Sequence, residues 1–348
     1  MNEALPYWVW LSQLKGIGYT TQRRLLRHFG TPQKVFNAEA HHLMEVPGMN
    51  RSRTTALLQQ QSLRKTYEIL QKCSALGLSI IPLDDQWYPR EARDTPGIPI
   101  VLFATGLIPP QQAVAIFGDT SCSHDGRRTI VDAAAFLSID DTPLITAMEE
   151  GVSRLALQTV RDMGGRFIAI AAGGADCQPQ PASDMVRELG PYGTIIYLHP
   201  PGISVQRHHF VERNALLAAW ATVGLVPEVT ASKRLSGPAQ AFLDRERPLF
   251  VAPVPEDAWF DVWQQVVGTA HDGTAPTDRI LTANCEIETG VWLYRGPEQL
   301  APGIGLEFAW DVEMQSEDEA LSLEDMPEPL TAKETGPHYL STQHHPMP

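Results

Sequence analysis

Four cysteines in 348 residues, Cys73, Cys122, Cys177 and Cys285, stand far apart and form no C-x-x-C pair. That spacing excludes a disulfide framework and gives no cysteine-based zinc site, so the thiols read as reduced. No apolar run approaches the ~18 residues that a membrane-spanning helix needs. The opening MNEALPYWVWLSQL has neither a basic stretch before its apolar part nor a small-residue cleavage site, so no secretory signal is read and the cytoplasm is the expected location. Also missing are a G-x-G-x-x-G and a glycine-rich loop ending in lysine, which leaves no dinucleotide fingerprint and no P-loop. No Ser/His/Asp order or paired-carboxylate arrangement stands out, and no catalytic residue, metal or cofactor is assigned. His208-His209 beside Arg207 is the one metal-like pair, but adjacent histidines on a regular element cannot both point at one ion. It reads as a basic loop.

Positive charge is scarce overall. Lys and Arg number 27 against 41 Asp and Glu, a formal net of -14, which argues against a protein that binds nucleic acid over its whole surface. The imbalance is uneven along the chain. Residues 1–75 carry ten Lys/Arg and four Asp/Glu, a net of +6, whereas residues 311–348 carry one Lys and nine Asp/Glu, a net of -8. Only the N-terminal part is cationic.

The 43% of hydrophobic residues suffice for two or three domains. Residues 1–76 read as short helices, with turns at Gly16-Ile-Gly18, Gly30-Thr-Pro32 and Pro47-Gly48. From 77 to 255 short apolar runs alternate with helical stretches. The predicted strands are Leu78–Leu83, Ile100–Phe103, Ala113–Phe117, Phe167–Ala171, Thr194–Leu198, Val223–Val226 and Leu249–Ala252. Helices are predicted at Arg127–Leu137, Ser153–Asp162, Ala182–Leu189, Glu212–Trp220 and Pro238–Arg245. Such alternation predicts a mostly parallel sheet covered on both faces. Residues 256–314 read as a small segment of unknown type, with a hairpin within Ile280–Tyr294, and 315–348 as a disordered acidic tail. Trp8, Trp10, Trp87, Trp220, Trp259 and Trp263 are expected in the core.

Leu14-Lys-Gly-Ile-Gly18, followed by Arg23, Arg24 and Arg27, has the form of a helix-hairpin-helix. Its glycines let the backbone approach a phosphate, and the next helix presents free N–H groups and its positive dipole end. Val46-Pro-Gly-Met-Asn50, with Arg51 and Arg53, reads as a second copy in which Asn50 replaces the second glycine, because asparagine tolerates left-handed geometry. Gly16, Gly18, Arg23, Arg27, Gly48 and Arg51 are the candidate phosphate contacts. The competing reading is that the hairpins only pack helices together. Further on, two strand-to-helix loops, Gly118-Asp-Thr-Ser-Cys-Ser-His-Asp-Gly126 and Ala172-Gly-Gly-Ala-Asp176, sit where an open α/β sheet binds ligands. Asp119 would repel a phosphate there.

Helical hairpins followed by Ile81-Pro-Leu-Asp-Asp-Gln-Trp-Tyr-Pro89, Pro99-Ile-Val-Leu-Phe103, Val114-Ala-Ile-Phe-Gly118, Gly164-Gly-Arg-Phe-Ile-Ala-Ile170, Pro200-Pro-Gly202, Phe210-Val-Glu-Arg-Asn214 and Val251-Ala-Pro253 resemble the DNA-processing protein A (Smf) family over residues 6–255. The resemblance implies an α/β fold with a Rossmann-like, doubly wound sheet behind a helix-hairpin-helix domain. It also implies single-stranded DNA binding, dimerisation and loading of a RecA-type recombinase during natural transformation and competence, with no enzymatic reaction. Carried over position by position, it adds Gly118, Thr120, Gly174, Arg207, Arg213, Asn214 and Lys233 as DNA or phosphate contacts. Departures cluster in the same loops. Gly118-Asp119-Thr120 stands for Gly-Ser-Arg, Thr146 to Ser153 keeps Gly151 but lacks the family's aspartate, and Tyr197-Leu198 replaces Ser-Glu. Ala215 replaces the arginine after Arg213-Asn214, and Lys233-Arg234-Leu235 replaces Ser-Gly-Ser. The alternatives are a nucleotide sensor or phosphoribohydrolase-like enzyme on a related fold, against which stands the missing Pro-Gly-Gly-x-Gly-Thr-x-x-Glu, and a scaffold that has lost ligand binding.

Overall fold

Six helices fill the N-terminal part: α1 (Leu5–Ser12), α2 (Tyr19–Phe29), α3 (Pro32–Phe36), α4 (Ala40–Met44), α5 (Arg51–Gln59) and α6 (Arg64–Ala75). The computed structural model describes residues 3–110, 112–229, 234–252, 286–288 and 291–301. Four consecutive residues of α1, Trp8 to Leu11, are buried, so other elements enclose this helix on all sides. Helix α2 is two-faced: Gln22, Leu25 and Leu26 point inward while Arg24 and Arg27 are exposed. Thr31 starts α3, its side-chain oxygen accepting the Lys34 N–H, with Pro32 in the first turn where a missing N–H costs nothing.

The sheet has ten strands: β1 (Ser79–Pro82), β2 (Val101–Thr105), β3 (Ala113–Ile116), β4 (Leu144–Ala147), β5 (Phe167–Ala171), β6 (Thr194–Tyr197), β7 (Ala221–Val226), β8 (Leu249–Val251), β9 (Glu286–Glu288) and β10 (Val291–Leu293). They lie in the order β1-β2-β6-β5-β4-β3-β7-β8-β10-β9. Strands β6 through β10 in that order are parallel, and the flanking β1, β2 and β9 are antiparallel. Alternate side chains leave opposite faces of a strand. Val114, Ile116, Phe167 and Ala169 thus share one core with α7 (His124–Ile139), α8 (Val152–Asp162) and α9 (Ala182–Leu189). Ala115, Ile145, Ile168 and Ile170 share the other with α10 (Arg207–Trp220) and α11 (Ser236–Leu243). The result is the α/β, Rossmann-like doubly wound arrangement. Trp8, Leu11 and Leu25 of the helical part join the first core alongside Val101 and Phe103 of β2.

Connections run to one side from β3 through β4, β5 and β6, and to the other from β7 to β8. The order therefore reverses between β3 and β7, and the loops beyond the carboxyl ends of the strands face the crevice where this kind of sheet binds ligands.

Several sequence expectations need correction. Strand β4 carries no prediction in the sequence reading, because its buried Thr146 interrupts a four-residue run. That hydroxyl is satisfied by the Ile116 carbonyl at 2.5 Å and the Ser153 hydroxyl at 2.9 Å. Helix α10 begins at Arg207, five residues before the predicted start, since Gln206 and His209 form a capping box there. His208-His209 is therefore a helix turn and not a basic loop. Trp8, Trp10 and Trp220 are buried, but Trp87 is 46% exposed because it sits on the turn after β1. The pairing of β9 with β10 forms the expected hairpin, and β10 extends the sheet by pairing with β8. Trp259, Trp263, most of 256–314, the acidic tail and Lys233 lie outside the described residues.

Candidate nucleic-acid interface

The two hairpin turns are built alike. Gly16 (φ 79°) and Gly48 (φ 91°) adopt the left-handed conformation that glycine tolerates without cost, and both are exposed. The second position of each motif works differently from the sequence expectation. Gly18 (φ -72°, ψ 164°) and Asn50 (φ -144°, ψ 174°) are both extended N-cap residues. Asn50 thus replaces glycine because its side-chain oxygen accepts the Arg53 N–H at 2.9 Å, and not because it is left-handed. In α2 the first amides to bond back are those of Thr21 and Gln22, both to the Gly18 carbonyl, at 2.9 and 3.0 Å. The N–H groups of Tyr19 and Thr20 remain outside the helical ladder.

The hairpins touch each other. Arg24 of α2 donates to the Pro47 carbonyl at 3.3 Å, and Arg53 of α5 donates to the Gly48 carbonyl. Both guanidinium groups flank the second turn from exposed positions. Gln60 clamps the first turn: its side chain accepts the Lys15 N–H at 2.9 Å and donates to the Lys15 carbonyl at 3.1 Å, while its own carbonyl accepts the Trp10 indole N–H at 2.7 Å. Lys15, Arg27, Lys34 and Arg51 add exposed cations. Arg27 pairs with Asp94 at 3.2 Å, the two side chains 67% and 93% exposed.

Arg23 departs from expectation. It is 5% exposed, and its guanidinium donates to the carbonyls of Arg93 (3.1 Å), Ile98 (2.5 Å) and Ala92 (3.4 Å). Burial pulls its pKa below the ordinary arginine value. Beside it, burial pushes the Tyr88 hydroxyl up to about 12, and that hydroxyl donates to the Pro99 carbonyl at 2.5 Å. Arg23 fastens α2 to the segment between β1 and β2 and has no fork left for a phosphate. A signal was present: Arg23 lies four residues after Tyr19 and three before Leu26, on the inward stripe of α2.

At the crevice the expected contacts are spent on the protein itself. Gly118 packs against Val152 at the start of α8, so a side chain there would overlap that residue. Gly174 crosses the Pro200 carbonyl just as tightly, and its N–H bonds Ile203 at 2.9 Å. Four of the donors at this edge are held by carboxylates. The Thr120 N–H meets Asp119 Oδ1 at 2.6 Å, the Ser123 N–H meets Glu228 Oε2 at 2.6 Å, and the Gly202 N–H meets Asp176 Oδ1 at 2.7 Å. Arg213, 6% exposed, pairs with Glu149, donates to Asn214 Oδ1 at 3.2 and 3.0 Å, and lies 5.1 Å from the Phe210 ring. Arg207 is exposed in the first turn of α10. The structure thus brings Arg213, Asn214 and Glu149 together. Glu149 and Glu228, missed by sequence reading, lie 64 and 105 residues from their partners, and no local pattern signals them.

Where α2 meets α10, the buried His199 and His209 and the half-buried Glu212 and Tyr19 form a polar cluster. Burial, followed by the neighbouring His199, pulls His209 down to about 4, which leaves its ring neutral at pH 7. Burial and then the Glu212 carboxylate raise the Tyr19 hydroxyl above its ordinary value.

Among the described residues no helix is long and apolar enough to cross a membrane. The chain resembles Protein Smf of Synechocystis sp., with 24% identity over 234 residues, 65% of this chain and 59% of that protein. A putative DNA processing protein DprA of Mycobacterium tuberculosis is 30% identical over 169 residues, 44% of this chain and 43% of that one. The chain thus spans 59% and 43% of the lengths of these two curated relatives. The fold is shared with DNA processing protein A of Streptococcus pneumoniae, at a TM-score of 0.62 and 16% identity over 75% of this chain and 90% of that one. A model of one family, described as DNA recombination-mediator protein A, matches residues 79–262, from β1 past β8 and across every loop of the crevice. With more than half of its length covered by that match, the chain belongs to the DNA recombination-mediator protein A family.

Proposed function

We propose that this protein is a DNA-binding recombination accessory that holds single-stranded DNA by its phosphates, chiefly on the paired hairpins, and recruits a RecA-type recombinase. In this reading it works in the cytoplasm as a homodimer and acts by binding, not by turnover. One contrast carries the assignment of the DNA surface. Four donors at the crevice are already occupied by Asp119, Glu228, Asp176 and Glu149, whereas the hairpin turns expose Gly16, Gly48, Arg24, Arg51 and Arg53. An incoming phosphate would have to displace a carboxylate at the first place, whereas at the second Arg24 and Arg53 each spend one N–H on a backbone carbonyl and no carboxylate competes. The same contrast makes the Rossmann-like core chiefly a support for the hairpins in this reading.

The test is fluorescence anisotropy of a labelled oligothymidine with the full chain. Binding should be indifferent to sequence, stronger for single strands than for duplex, and lower by about tenfold or more between 50 and ~200 mM salt, because each phosphate contact releases counterions. Salt-insensitive binding, or none, would overturn the reading. Retention of a purified RecA-type recombinase by the immobilised protein tests the partner, and light scattering tests the dimer.

A further inference from the structure

The cluster between α2 and α10 has the chemistry of a metal site. His209 and Glu212 are three residues apart on α10 and so share one face of the helix. His199, in the loop after β6, reaches the same point from the sheet. Its Nε2 lies 3.0 Å from Glu212 Oε2, and its ring stacks on His209 with centroids 3.7 Å apart. One ligand atom from each of the three lies within 4.8 Å of the others. The Tyr19 hydroxyl, at the start of α2, lies beside the Glu212 carboxylate. His199 and His209 are buried, 9% and 2% exposed.

Two imidazole nitrogens and a carboxylate oxygen make a borderline donor set, suited to zinc and neighbouring divalent ions rather than to magnesium or calcium. Bonds of ~2.0–2.1 Å in a tetrahedron place donor atoms roughly 3.3 Å apart, so this set needs only side-chain adjustment to close around an ion. The His209 Nδ1 accepts a hydrogen bond of only moderate length, 3.2 Å, from the Gln206 N–H, a contact that coordination through this nitrogen would replace.

We propose that His199, His209 and Glu212, with the Tyr19 hydroxyl beside them, bind one divalent transition-metal ion of the zinc class. The ion joins α10 to the loop after β6. This goes beyond the DNA-binding reading and does not depend on it.

The test uses the full chain, stripped with a chelator and titrated with Co²⁺ and then Zn²⁺. Wild type should take up one Co²⁺ per chain with micromolar or tighter affinity, show the intense visible absorption of four-coordinate cobalt, lose it to Zn²⁺, and melt at a higher temperature with metal. Glu212→Gln keeps the shape and removes the anionic ligand, and it should weaken binding by about tenfold or more. Tyr19→Phe should preserve binding and change the spectrum. His41→Ala with His42→Ala, which removes an exposed pair of neighbouring histidines elsewhere, should change nothing. The proposal is overturned if wild type shows no saturable one-to-one binding, if Glu212→Gln binds as tightly as wild type, or if binding disappears with the His41 and His42 changes.

Discussion

Replacing Arg23 by alanine separates a fastening role from a DNA role within one helix. The guanidinium holds three carbonyls at 2.5–3.4 Å in the interior. Removing it leaves acceptors unsatisfied at ~1–3 kcal/mol apiece, and hydrogen bonds from a charged donor lie at the upper end of such values. The 3.4 Å contact with Ala92 is the weakest of the three, so a total of roughly 3–5 kcal/mol follows. At roughly 2–4 °C per kcal/mol for a domain of this size, the melting midpoint should fall by about 6–20 °C. Arg23→Lys should recover only part of the loss, since one ammonium cannot match a planar fork aimed at three carbonyls. Arg24→Ala, one position along and on the exposed face, should stay within about 0.5 kcal/mol of wild type. The assay is circular-dichroism melting of all three variants, with oligothymidine anisotropy measured well below each midpoint. A melting temperature unchanged in Arg23→Ala, together with weakened DNA binding, would refute the reasoning and return Arg23 to the phosphate contacts.

Three further outcomes are expected. The double change Arg24→Ala and Arg53→Ala should weaken oligothymidine binding and lower the slope of log affinity against log salt by about one for each phosphate that the protein no longer neutralises; an unchanged slope would move the DNA elsewhere. Glu149→Gln frees Arg213 from its carboxylate and should raise DNA affinity by roughly twofold to fivefold, the scale of a partly exposed ion pair, whereas unchanged affinity would mean that the crevice takes no phosphate even when its cation is released. Asn50→Ala removes the cap of α5 and should cost about 1 kcal/mol in chemical denaturation, while Asn50→Gly should cost only a few tenths, because Gly18 serves at the matching place in α2; equal losses would point to a contact other than the cap.

The alternation of apolar runs and helical stretches made the layered sheet legible, because parallel strands buried on both faces read as short hydrophobic runs. Strand β4 escaped this pattern, since Thr146 is matched across the sheet to a carbonyl of β3 and nothing local announces that partner. The start of α10 escaped for a related reason. Histidine ranks low in helix propensity, and the cap that admits His208-His209 to the helix depends on the geometry of Gln206. Within the candidate site, the hairpins were legible because their chemistry lies in contiguous turns. The state of the crevice was not. Gly118, Gly174 and Arg213 stand where the family resemblance puts them, yet what each one does depends on Val152, Pro200 and Glu149, residues that only the fold brings near.

Gln60 grips both sides of the Lys15 peptide and also receives the Trp10 indole. A single amide thus rivets the first turn to the far end of the helix that begins at the second, and the two turns form a ruler of fixed length. On the proposed DNA-binding reading, a single strand would be the pliant member of such a pair: it would have to bend its own backbone until its phosphate repeat matched the ruler, while the protein lost little freedom in the encounter. Strands stiffened by secondary structure should therefore be gripped less well than unstructured ones of the same charge.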